Sequence, residues 1–206
     1  MVQRVFVDAN VFFSRTLRDW LCLLRAEIPM LFQLHTTEDV LAETVATLRE
    51  RYPGRDGGAT TQLLAGIRGV VDEIVPDFDG SIAWAGADPK DRHVHAAAVA
   101  CRADVLLTHD SGFIEAEGSP YEVHDCDDFF VLVDDAEPGG VRAVVRQQHR
   151  YWSTRPSRKG LAEALVAAGC PRFASRVDAH LRDAGRVLGP GRRPVADSRI
   201  GGRADR

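Results

Sequence analysis

Four carboxylates stand where a chain of alternating strands and helices could put them to chemical use: Asp8, Glu43, Asp91 and Asp110. Asp8 interrupts the apolar run VFVDANVFF, Asp110 follows another in VLLTHD, Asp91 opens DRHVHAAA, and Glu43 lies between Leu41 and Val45 in EDVLAET. Burying an ionised carboxylate without a partner is costly, so Asp8 points to a counter-charge or a metal nearby. Plain turns are the alternative, both for Asp8-Ala9-Asn10 and for Asp110-Ser111-Gly112, where an Asx turn is the usual reading. Four hard oxygen donors brought together repel one another unless a divalent cation neutralises them. Mg²⁺ or Mn²⁺ suits such carboxylate and water ligands best. A cluster of this kind suits phosphodiester hydrolysis, where one ion generates hydroxide from bound water and another steadies the leaving oxygen.

Whether these acids meet depends on the elements that carry them. Residues 4–9 read as a short buried strand, since Val5, Phe6 and Val7 are consecutive and β-prone. Leu17, Trp20, Leu21 and Leu24 follow at helical spacing, with Ser14 as N-cap. A second strand is expected over residues 30–34. Thr36 then caps a helix that runs to Leu48, with Asp39 completing a capping box. Residues 55–61 read as a Gly-rich loop and 62–71 as another helix. Asp88 is a natural N-cap, with Pro89 at the first helical position and residues 93–101 as the helix body. Strands follow at 104–108 and 121–124, with residues 108–112 turning out of the first of them. This alternation predicts α/β architecture: a central parallel sheet with helices on both faces. Ligands bind outside the carboxyl ends of the strands in such sheets, where Asp8 and Asp110 emerge. After Pro138-Gly139-Gly140 the pattern is wholly helical, over 141–152, 161–168 and 173–188. From residue 189 Gly, Pro and Arg dominate, so that tail is expected to be disordered.

The formal charge of −4 conceals an asymmetry. Residues 1–140 hold 11 Lys and Arg against 25 Asp and Glu, and residues 141–206 hold 15 against 5. An acidic body with a basic C-terminal third fits contact with nucleic acid or an acidic partner; solvated arginine-rich faces are the alternative. The stretch containing Arg146, Arg150, Tyr151, Trp152 and Arg155 interleaves cations with aromatics, as single-stranded RNA binders do. The same aromatics could instead anchor the helices to a core. Arg92 reads either as a phosphate contact or as an exposed helix residue. His93, His95 and His109 lack the spacing of a transition-metal site. Asp125, Asp127 and Asp128 read as structural, with Asp127 or Asp128 capping a helix over 129–133. Four cysteines outside any C-x-x-C pattern read as free thiols of a reducing cytoplasm. No apolar run is long enough for a membrane span, and no secretory signal is expected.

Together, VDANVFFS, EDVLAET, DPKDRHVHAAA and LLTHD resemble the four acidic motifs of PIN-domain ribonucleases, with the nearest likeness to VapC-type toxins of bacterial type II toxin–antitoxin systems. The likeness runs from residue 4 to about residue 130. It implies a PIN-like three-layer α/β/α nuclease domain over residues 1–135, with a helical extension over 136–188 and a basic tail over 189–206. It also implies a cytoplasmic, Mg²⁺- or Mn²⁺-dependent endoribonuclease with RNA as substrate and a cognate antitoxin protein as partner; homodimers are common in the family. By that resemblance Asp8, Glu43, Asp91 and Asp110 hold the metal, while Asn10 and Thr108 orient ligands or water. Asp88 competes with Asp91 for the third acidic position, and the extension exceeds a minimal PIN domain. The alternative is a PIN-fold module that binds RNA or a partner without turnover. A haloacid-dehalogenase phosphohydrolase ranks below both, because DANVF lacks the second acid and the Thr of Asp-x-Asp-x-Thr. A receiver domain lacks its paired acids and late Lys.

Overall fold

A computed structural model describes residues 2–86, 88–114, 118–154 and 160–187. In chain order the first elements are β1 (Gln3–Val7), α1 (Ala9–Phe13), α2 (Arg15–Glu27), β2 (Phe32–Thr36), α3 (Glu38–Arg51), α4 (Gly57–Arg68) and β3 (Glu73–Ile74). A 3₁₀ turn (Pro89–Asp91) leads into α5 (Arg92–Ala100), β4 (Val105–Leu107), α6 (Ser111–Ile114) and β5 (Glu122–His124). Four helices complete the fold: α7 (Cys126–Ala136), α8 (Pro138–Ser153), α9 (Leu161–Ala167) and α10 (Pro171–Val187).

Val5, Phe6 and Val7 are fully buried, as a continuous apolar strand should be at the centre of a parallel sheet. β1 pairs in parallel with β2 on one side and β4 on the other, giving the order β3-β2-β1-β4-β5. The chain therefore builds outward through β2 and β3, then returns to build outward through β4 and β5. The reversal lies between β1 and β4, and such a switch point opens a crevice at the carboxyl ends of the strands. β3 is not foreseen in the sequence. It is two residues long and is held by Asp72 N–H to Leu34 O (2.9 Å), Val75 N–H to Thr36 O (2.7 Å) and the Arg25–Asp72 ion pair.

Several helix starts differ from expectation for local reasons. Thr37, not Thr36, caps α3, its hydroxyl accepting from Val40 N at 3.2 Å. Thr36 stays in β2 because its own hydroxyl donates to Val7 O across the sheet at 3.2 Å. Asp56 caps α4 through Ala59 N (3.0 Å), so the expected loop is helical from Gly57. Residues 111–114 form the short α6 rather than an open turn. Asp125, not Asp127 or Asp128, caps α7 by accepting from Asp128 N at 2.8 Å.

The C-terminal helices share the core of the sheet domain. Phe173 of α10 meets Trp20 of α2 edge-on at 5.2 Å and Phe130 of α7 at 5.1 Å. Val141, Val144, Val145, Leu165 and Val177 belong to the same buried cluster as β1. The turn from α9 to α10 needs a left-handed residue, and Gly169 supplies it at φ +86°. Buried Asp127 then caps α10, accepting from Arg172 N (3.1 Å) and Phe173 N (2.8 Å). Arg172 also pairs with Asp127 and Asp128, Arg176 with Asp134 and Asp135, and His180 Nε2 lies 2.7 Å from Asp134 Oδ1. Part of the basic C-terminal charge is thus neutralised inside the chain by the acids of α7. Arg155 and the tail 189–206 lie outside the described residues. Among the described residues no helix is long and apolar enough to cross a membrane. Chemical denaturation should find Asp127→Ala destabilising by about 2 kcal/mol, the upper range for a lost cap. Arg172→Ala, which removes only a half-exposed partner, should lie below about 1 kcal/mol.

Candidate active site

Asp8 leaves β1 at the switch point and caps α1, its Oδ1 accepting from Ala9 N at 2.6 Å. Its Oδ2 accepts from Asn10 Nδ2 and from the Thr108 hydroxyl, each at 2.7 Å. Thr108 leaves the neighbouring β4, and its oxygen in turn accepts from Asn10 Nδ2 (2.9 Å) and Asp110 N (3.0 Å). Asn10 Oδ1 closes the network by accepting from His109 N at 3.1 Å. Asn10 and Thr108 therefore fix the Asp8 carboxylate and couple it to the loop that carries Asp110. Asp8 is only 6% exposed. Burial pushes its pKa up, the Thr108 and Ala9 hydrogen bonds oppose this, and the nearby charge of Asp110 adds to it. A carboxylate has about four acceptor positions. Three are used, which leaves Oδ1 room for one more ligand.

Asp91 ends the 3₁₀ turn that leads into α5. Its Oδ2 is buried and has no hydrogen-bond partner. Burial, then the charges of Asp110, Asp88, Asp8 and Glu43, push its pKa up to about 6. Asp88 behaves differently: it is exposed and caps the turn, its Oδ1 accepting from Lys90 N at 2.9 Å. Asp110 is exposed, with Oδ1 accepting from Gly112 N at 2.8 Å. A Cβ on Gly112 would lie 3.2 Å from Asp110 Oδ1 and 3.7 Å from Asp91 Oδ2, so a side chain there would crowd the gap between the two acids. Glu43 is exposed on α3, with Oε2 3.8 Å from His93 Nε2. Burial of its carboxylate and the charge of Asp8 raise the Glu43 pKa, and His93 and Lys90 oppose them.

The four acids are thus electrostatic neighbours: Asp8 and Asp110 follow strand ends, Asp91 leads into α5, and Glu43 lies in the second turn of α3. Among the described residues no group of three or more His, Cys, Asp or Glu side chains is set to hold a metal ion. The donor chemistry nevertheless fits a hard divalent cation. The acids supply carboxylate oxygens, Asp91 Oδ2 is an orphaned buried acceptor, and burial together with neighbouring carboxylate charge raises the pKa values of Asp8, Glu43 and Asp91.

The expected arginines stand apart from this cluster or are otherwise engaged. Arg92 Nη2 donates to Ser81 O at 2.9 Å and ties down the preceding loop. Arg146 and Arg150 lie exposed on α8. Trp152 is anchored by Nε1 donating to Gln148 Oε1 at 2.8 Å. Trp84 was not singled out from the sequence, yet it positions the third acid. Its Nε1 donates to Asp88 O at 3.0 Å, the carbonyl that also receives Asp91 N at 3.2 Å. Its ring packs on His95 (5.0 Å) and on Phe113 (4.8 Å), just beyond Asp110. A lone Trp in the Gly-, Pro- and Asp-containing stretch PDFDGSIAWAGADPK is the signal available.

A family model for the PIN domain matches residues 4–112, a span that includes all four acids. No curated protein and no solved structure matches the chain.

The Asp91 pKa of about 6 has a direct consequence for stability. Above that pH the folded protein carries a charge that its surroundings disfavour, and below the ordinary value of 3.8 folded and unfolded chains are both protonated. In chelator, Asp91→Asn should therefore raise the thermal midpoint above about pH 6 and leave it unchanged below 3.8. Added Mg²⁺ or Mn²⁺ should raise the wild-type midpoint at neutral pH and move the variant's much less.

Proposed function

The chain belongs to the PIN-domain family, a family of nucleases, and on that premise we propose that it is a metal-dependent endoribonuclease acting as the toxin of a toxin–antitoxin pair. The observation that carries the nuclease reading is Asp91 Oδ2, buried without a hydrogen-bond partner among Asp110, Asp8 and Glu43. Asp8, Glu43, Asp91 and Asp110 would hold Mg²⁺ or Mn²⁺, with Asp88 left as the cap. When bound there, such an ion supplies Lewis-acid charge that lets water ionise near neutrality and offsets charge on the phosphate.

The chain's own residues provide the rest. Thr108 and Asn10 hold Asp8 Oδ2 in one orientation, leaving Oδ1 directed to a ligand. Asp91 Oδ2, buried and without a hydrogen-bond partner, would join Asp8 Oδ1 in holding the ion that activates the attacking water. Water attacks phosphorus and gives up a proton to solvent, while the 3′ oxygen departs and takes one up, leaving a 3′-hydroxyl and a 5′-phosphate. The toxin reading, with a cognate antitoxin and a second copy of the chain as partners in the cytoplasm, is supported by the likeness of VDANVFFS, EDVLAET, DPKDRHVHAAA and LLTHD.

The test is cleavage of total RNA with end mapping, alongside growth on expression. Wild type with Mg²⁺ or Mn²⁺ should cut RNA, leave 5′-phosphates and arrest growth. Asp110→Asn is the cleanest control, because an amide oxygen can still accept from Gly112 N; it should abolish both effects. Thr108→Val should lower the cleavage rate by about 10–100-fold, the usual effect of losing a residue that orients a ligand. An inert wild type that binds RNA equally well in chelator would replace this reading with that of a non-catalytic module.

A further inference from the structure

Beyond the carboxylates, a groove lined by arginines runs along the α2 side of the molecule. Two cavities of about 460 Å³ each share Arg18, Arg55 and Leu63 in their walls. A third, of about 340 Å³, shares Asp19 and Cys22 with one of them and reaches Tyr151 on α8. The near end is walled by Phe13 and Ser14, at the end of the α1 that begins beside Asp8. It is walled also by Leu48 and Tyr52, at the end of the helix that carries Glu43. Glu43 to Leu48 spans only about 7.5 Å of helix axis. The groove therefore starts close to the site and leads away from it towards the C-terminal helices.

Its chemistry is that of an anion track. Arg55 Nε is buried and has no acceptor. Arg18 is largely buried, with one guanidinium nitrogen donating to Phe12 O; burial lowers its pKa, Asp19 and Cys22 oppose this, and the nearby charges of Arg55 and Arg15 add to it. Arg15 is exposed, 3.5 Å from Asp19, and its guanidinium lies 5.5 Å from the centre of the Trp152 ring. Three arginines thus line one groove with a single acid, Asp19, which pairs with Arg15, lies 3.9 Å from Arg18 and leaves the groove with net positive charge. Tyr52, 52% exposed, offers a ring face at the end nearer the carboxylates.

Resting on the nuclease reading, we propose that this groove is the track for a single-stranded RNA, with Arg15, Arg18 and Arg55 contacting successive phosphates and Tyr52 stacking on a base. Guanidinium forks suit phosphate oxygens, and aromatic faces accept any base, so the track binds with little sequence preference. Three cavities linked through shared walls suit an extended strand better than an isolated phosphate.

The test is binding of a fluorescent single-stranded RNA to the full chain in chelator, titrated across a range of salt. Arg55→Gln and Arg15→Gln should each weaken binding and reduce the slope of log K against log salt by about 0.7, the value for one phosphate contact on a single strand. Arg55→Lys should restore the slope, which separates lost charge from lost folding. Tyr52→Ala should weaken binding about tenfold with the slope unchanged. Arg68→Gln, whose arginine pairs with Glu38 outside the groove, should match wild type. Binding by the glutamine variants indistinguishable from wild type, in a protein that still cleaves RNA, overturns the track and leaves the nuclease reading intact. Slope loss in a protein that binds RNA but never cleaves it keeps the track and overturns the nuclease reading.

Discussion

Asp8 ends a strand whose last three residues have no exposure, and its carboxylate must be compensated where it stands. The Thr108 hydroxyl, the Asn10 amide and the Ala9 N–H provide that compensation, the last two from the start of α1 and the first from across the crevice at the end of β4. Thr108 can reach Asp8 only because β1 and β4 pair in parallel, Val7 opposite Leu107, so that both chains leave the sheet side by side. Asp8 N–H to Leu107 O, at 3.1 Å, carries the pairing one residue beyond the strand. The same hydroxyl then receives Asp110 N. Placement of two acids therefore follows from the register of the central strand pair, and a slip of that register would separate them.

Charge distribution follows a related logic at larger scale. The acids of α7 and the cations of α10 face each other, and buried Asp127 and Asp134 are satisfied by groups from beyond residue 170. Buried ion pairs add little net stability over apolar contacts, but leaving one member alone is costly. The α10 helix is consequently held in one position against α7, which also seats Phe173 between Trp20 and Phe130. The C-terminal helices are thus integral to the core that supports the back of the sheet. Cations outside this interlock, such as Arg146 and Arg150, remain at the surface.

Legibility in the sequence tracks how local each cause is. Asp8 and Asp110 stand out because an acid after a continuous apolar strand has few explanations, and Asp88-Pro89 marks a helix start through residues that act on their immediate neighbours. The choice between Thr36 and Thr37 is not local. It turns on whether a hydroxyl bonds to Val7, 29 residues earlier. β3 escapes notice because two residues carry no periodicity, and its anchors are Leu34, Thr36 and Arg25. The Arg15–Arg18–Arg55 groove is equally invisible, since Arg55 sits in what reads as a Gly-rich loop until the fold brings it across to α2. Asp127 illustrates the opposite error: a local cap is a sufficient explanation, yet its real partner is the start of a helix 45 residues later.

The site itself divides into a satisfied half and an unsatisfied half. Asp8, Asn10 and Thr108 use nearly all their hydrogen-bonding capacity on one another, so their geometry is set by the protein alone. Asp91, Asp110 and Glu43 lean on thinner support: an orphaned oxygen, one backbone N–H, and a histidine 3.8 Å away. The Asp91 half is positioned through Trp84, which binds the Asp88 carbonyl and packs on Phe113, so one indole links the segments bearing the third and fourth acids. A ligand that neutralises these three side chains would act against a fixed reference, Asp8, while drawing in groups that repel one another without it. Pre-set geometry on one side and unmet charge on the other is the condition under which a cation's binding energy goes into organising the site rather than merely occupying it.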